Sequence, residues 1–126
     1  VCNSRNMDSE SIRLALLGAV RFGKPMVVDM MDIQYDISQL AEMLSIVPGK
    51  ETLLEDVMSR KVLEEDYYLS LVDPEKDNRE LFNPARFSPK LLKNFRFVVL
   101  SYTRELPKEW YKRFYTIEVV SPKQDG

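Results

Sequence analysis

Two carboxylates, Asp29 and Asp32, close the apolar run Met26-Val27-Val28-Asp29-Met30-Met31-Asp32. Carboxylates at the end of a buried strand are hard oxygen donors of the kind Mg2+ takes. They also cap the turn after a strand and face water. The capping reading is favoured, because two carboxylates without a phosphate-binding loop make only a weak Mg2+ site. Asp29 still deserves a test, since open α/β sheets bind ligands at the carboxyl ends of their strands. A second polar cluster, Ser101-Tyr102-Thr103, ends another apolar run and reads first as a plain strand end.

Three further groupings have chemical readings, each with a simpler competitor. Gly23-Lys24 can mimic the end of a phosphate loop, or be a helix terminus with its usual glycine and a lysine favoured by the dipole. Glu64-Glu65-Asp66 can supply acid–base carboxylates, but neighbours in sequence do not converge on a substrate, and a solvated face explains them. Trp110-Tyr111-Lys112-Arg113-Phe114-Tyr115 can stack bases, or alternate buried aromatics with exposed cations. The simpler reading is preferred in all three. The chain has no histidine, so it holds no Ser-His-Asp triad, Cys-His pair or His-ligated zinc.

The elements that must position these residues follow from periodicity and turn signals. Asp8 or Ser9 caps a helix running to about Phe22, with Ile12, Ala15, Leu16, Ala19 and Phe22 on its apolar stripe and Arg13 and Arg21 off it. Gly23 closes that helix and Pro25 stops it. The run Met26–Met31, apolar except for Asp29 and too short for a helix, suits a central parallel strand covered on both faces. Asp36 caps a second helix carried by Ile37, Leu40, Ala41 and Leu44. A third helix starts near Glu51, after Pro48-Gly49. Tyr67–Val72 reads as a strand. Residues 73–89, rich in proline and charge, read as a surface loop or insertion, with Leu81-Phe82 tucking back. Ser88-Pro89 opens a short helix. Strands follow near 96–102 and 115–120, and the tail from Ser121 reads as frayed. The methionines read mostly as core fillers. Strands near 1–2, 26–31, 96–102 and 115–120, separated by helices, predict one α/β domain over 1–126 with a parallel sheet.

Composition narrows the function. With 126 residues, 44% apolar and 30% charged, the chain has the makings of one globular core. A net charge of −2 argues against nucleic acid as a partner. One cysteine, Cys2, fits a reducing, intracellular setting. No apolar run nears the roughly 20 residues that span a membrane. Val1 reads as mid-strand, which points to a piece of a larger protein that lacks its first strand.

The order of pieces resembles dynein heavy-chain motors. There a helix rich in small residues leads into Phe-Gly-Lys-Pro and an apolar strand ending in an acid, as Arg21-Phe22-Gly23-Lys24-Pro25-Met26-Val27-Val28-Asp29 does here. Phe95-Arg96-Phe97-Val98-Val99-Leu100-Ser101-Tyr102-Thr103-Arg104-Glu105-Leu106-Pro107 is similar to the strand after that family's insert, and Tyr115–Val120 to the strand that follows. The likeness is weakest from Tyr67 to Leu92 and strongest to the late, non-hydrolysing AAA+ modules of the ring. The same segment is similar to one in proteins that combine ankyrin repeats with an IQ motif. No IQ motif is present, since Ile33-Gln34 is followed by Tyr-Asp.

The resemblance implies a three-layer P-loop-NTPase, AAA+-like sheet, truncated at its amino end so that the first strand and phosphate loop are absent. It implies that Asp29 matches the Walker-B acid that helps hold Mg2+, and that Ser101 or Thr103 matches the sensor of the terminal phosphate of ATP. Two departures oppose catalysis. No Gly-x-x-x-x-Gly-Lys-Ser/Thr occurs, and Met30 stands where a catalytic glutamate would follow Asp29. The expectation is therefore a non-catalytic scaffold or protein-interaction module with no cofactor. It would be cytoplasmic, in the cytoskeletal setting that dynein implies. Its contact surface is expected at Asp73, Glu75, Lys76, Asp77, Arg79 and Glu80, or on faces meeting neighbouring domains of the same chain. The alternative is the carboxyl part of an ATP-binding domain that uses Mg2+.

Overall fold

The computed structural model describes residues 2–5 and 7–120. Its centre is a small open sheet of three parallel strands in the order β1-β2-β3. They are β1 (Cys2–Asn3), β2 (Pro25–Asp29) and β3 (Arg96–Leu100). Asn3 pairs with Asp29, and Pro25 to Asp29 pair in step with Arg96 to Leu100. The helices are α1 (Ser9–Phe22), α2 (Ile37–Leu44), α3 (Leu53–Met58), α4 (Glu65–Ser70), α5 (Pro89–Leu92) and α6 (Lys108–Arg113). The fold is mixed α/β, as the alternation of periods predicts. Val1 and the tail from Ser121, both assigned above, lie outside the described residues.

Helix α1 begins and ends where its sequence dictates. The Asp8 carboxylate accepts a hydrogen bond from the Ser11 N–H at 2.7 Å. Gly23 takes a left-handed conformation (φ 66°), and the next N–H, of Lys24, returns to the Ala19 carbonyl. The buried face comprises Ile12, Leu16, Leu17, Ala19 and Val20, while Phe22 is 39% exposed. The buried stripe is thus rotated from the expected one, toward Leu17 and Val20 and away from Phe22. Each large aliphatic side chain buried there contributes about 1.5–3 kcal/mol relative to exposure. Helix α2 starts on a full capping box: Asp36 accepts from the Gln39 N–H at 2.7 Å, and Gln39 accepts from the Asp36 N–H at 2.9 Å.

Two expected strands are absent. Residues 67–72 do not form a strand, because α4 covers most of them. The buried residues of this stretch, Tyr68 in the helix and Leu71 at its cap, fall three apart and not two. Glu65 and Asp66 in its first turn favour the helix electrostatically. Residues 115–120 join no ladder, and Tyr115, Ile117, Val119 and Val120 are all exposed. Strand propensity alone does not order a segment that has no neighbouring strand.

Residues 73–89 are irregular, as expected, with a 3-10 turn at Pro84–Arg86. Side-chain carbonyl and carboxylate oxygens tie the loop together. Asp73 accepts from the N–H groups of Glu75 and Lys76, and Asn78 from those of Glu80 and Leu81. Phe87 stacks on Tyr68 with ring centroids 4.3 Å apart, and Phe82 packs on the core while Leu81 stays outside.

Candidate functional site at the carboxyl edge of the sheet

Adjacent strands bring Asp29 and the Ser101–Thr103 cluster to the same edge. Leu100 pairs with Asp29, and the ladder continues past the strand ends. The Met30 N–H donates to the Leu100 carbonyl and the Tyr102 N–H to the Met31 carbonyl, each at 2.9 Å. On the other side the Ser4 N–H donates to the Asp29 carbonyl at 2.9 Å. Met31 sits in the left-handed region (φ 56°), which bends the chain sharply after β2.

The Asp29 carboxylate is used at both oxygens. One accepts from the Met31 N–H at 2.8 Å, bracing the left-handed turn. The other accepts from the Tyr102 hydroxyl at 3.1 Å. That bond and the negative charge behind it hold the Tyr102 phenol above its ordinary pKa. Ser101 Oγ and Thr103 Oγ1 share a hydrogen bond of 2.8 Å, and the Thr103 N–H donates to Ser101 Oγ at 3.2 Å. Asp32 lies 3.8 Å from the Arg5 guanidinium, with both side chains largely exposed.

This arrangement closes a turn and leaves few donors for Mg2+ at this edge. The donors on hand are one carboxylate bonded at both oxygens and two hydroxyls bonded to each other. Mg2+ draws the rest of its ligands from water and substrate phosphates, and no phosphate-cradling loop occurs in the chain. Among the described residues no group of three or more Cys, Asp or Glu side chains is placed to hold a metal.

The remaining sequence candidates sit apart. Lys24 precedes β2 and so lies at the opposite, amino end of the sheet from Asp29. Trp110 is buried, and its indole N–H donates to the Tyr35 carbonyl at 2.9 Å, so it is no stacking platform. Arg113 pairs with Glu55 at 2.6 Å. In the loop, Glu75, Lys76, Arg79 and Glu80 are exposed and Asp73 is half-buried. Asp77 does not share their surface: its side chain is 4% exposed and faces Arg13. The bond between Asp29 and Tyr102 was not legible in sequence, because it depends on the register of strands separated by most of the chain. No family model and no solved structure matches the chain.

Proposed function

We propose that this chain is a non-catalytic AAA+-like module of three-layer P-loop-NTPase type, resembling a degenerate dynein-ring module. It would serve as a scaffold or protein-interaction piece of a larger intracellular protein. The observation that carries the reading is the engagement of both Asp29 oxygens by Met31 and Tyr102. The acid that an ATPase would keep for Mg2+ acts here as a brace for a turn. Met30, standing where a catalytic glutamate would follow Asp29, supports the same reading. Protein contacts would use the exposed charges Glu75, Lys76, Arg79 and Glu80, with Asp73 beside them.

The test is calorimetric titration of the chain with ATP and ADP in the presence of Mg2+. The expected result is no saturable heat. Saturable binding that disappears in Asp29→Ala would overturn the reading in favour of ATP binding. One observation gives that second reading its standing: Asp29 and the Ser101–Thr103 pair end neighbouring strands at one edge.

A further inference from the structure

Strand β3 has the sequence of an interior strand and the position of an edge strand. Phe97, Val98, Val99 and Leu100 form an unbroken apolar run, yet among the described residues β3 pairs only with β2. The Leu100 carbonyl points to β2, so alternation along the strand turns the N–H and C=O groups of Phe97 and Val99 to the open side. Natural edges are guarded by lysine, proline, a bulge or a covering element. Arg96 guards the start of β3, and its middle carries none of these.

The same chain carries an unpaired segment of strand-like sequence. Tyr115-Thr116-Ile117-Glu118-Val119-Val120 is rich in β-branched and aromatic residues, and among the described residues it makes no main-chain hydrogen bond to main chain. Tyr115 and Val119 are 94% and 92% exposed, and Ile117 and Val120 are each 73% exposed. Its point of departure is fixed by three contacts: Trp110 to the Tyr35 carbonyl, Arg113 to Glu55, and the Phe114 ring 6.2 Å from that of Phe97. Held by these, the segment leaves the body beside β3 without pairing to it.

We propose that two copies of this chain exchange these segments, each Tyr115–Val120 adding as a fourth strand to the free β3 edge of the other copy. The exchange is reciprocal and closed, so it satisfies both edges, covers the exposed apolar residues and stops at two. It holds whether or not nucleotide binds, so its failure leaves the reading above standing, and the converse also applies.

The experiment is sedimentation equilibrium of the chain over a range of concentrations, with amide hydrogen exchange on the same samples. The expected result is a reversible doubling of mass, with Phe97, Val99 and alternate residues of 115–120 gaining protection together. Ile117→Pro with Glu118→Pro removes one donor from each side of the segment, neither used by the single copy, so that variant folds and is expected to stay at the mass of one chain; Ile117→Val is expected to dimerise. A single-chain mass at every concentration overturns the proposal, including the case where 115–120 is protected on its own β3. So does a dimer that survives the paired proline changes, or a mass that grows without limit.

Discussion

Arg13 of α1 donates to both carboxylate oxygens of Asp77, at 2.6 and 3.1 Å, and the two side chains are only 11% and 4% exposed. The same guanidinium donates to Glu10 and, at 2.8 Å, to the Leu71 carbonyl. Asp77 also accepts from the Asp73 N–H at 2.7 Å. One ion pair thus fastens the irregular 73–89 segment to the longest helix.

Removing one partner leaves the other charged and poorly solvated. Asp77→Ala is expected to lower unfolding free energy by about 3 kcal/mol in urea denaturation followed by circular dichroism. Arg13→Met with Asp77→Leu removes both charges and is expected to cost much less than the single change. A double-variant loss equal to the sum of the Arg13→Met and Asp77→Leu losses would show that the pair is not coupled.

The acid side of the stability profile follows from the same contact. The Arg13 guanidinium holds the Asp77 carboxyl below its usual range. The Ser11 and Gln39 N–H groups do the same for Asp8 and Asp36. A carboxyl with a depressed folded pKa contributes stability above its unfolded value, near pH ~4, and loses it as pH falls through the folded value. The stability gap between the wild type and Asp77→Asn is therefore widest at neutral pH and narrows below about pH 4. A gap that widens on acidification contradicts the assignment.

Two glycines of the same helix region respond in opposite directions to alanine. A Cβ on Gly23 would sit 2.5 Å from the Leu91 carbonyl oxygen, in a left-handed conformation (φ 66°). The backbone conformation alone costs about 1–2 kcal/mol, and the collision adds to it. Gly18 lies within α1 with open space around it, and Gly18→Ala is expected to stabilise by roughly 0.5–1 kcal/mol. Thermal melts of the two variants, one down and one up, check both.

The single tryptophan reports on α6. Trp110 is 2% exposed and bonded to the Tyr35 carbonyl, so its emission is expected at the short wavelengths of a buried indole. Trp110→Ala is expected to cost about 3–5 kcal/mol. Trp110→Phe keeps most of the packing and loses the hydrogen bond, so a smaller loss is expected in urea.

What the sequence could disclose was local. Asp8, Gly23 and Asp36 act on neighbours within a turn, and they mark α1 and α2 in the chain as they do in the fold. The apolar runs of β2 and β3 were equally plain. Tyr67–Val72 misled because a short apolar run has no period long enough to separate strand from helix. Residues 115–120 misled because a strand needs a neighbour that composition cannot supply. Arg13 and Asp77 each read as an ordinary surface charge, and only the folded chain makes them partners. At the site, Asp29 and Ser101–Thr103 were visible as strand ends, but the Tyr102 bond waits on register.

The register of the sheet also sets the order of events in folding. Pro25 pairs with Arg96, so more than half of the chain lies between two strands that touch along their whole length. Closing so long a loop is entropically uphill until the intervening helices have condensed. During synthesis β2 emerges long before β3 exists, and it must be sheltered by α1 in the interval. The ladder between β2 and β3 is thus a late event, and a variant that weakens it should unfold faster without folding more slowly.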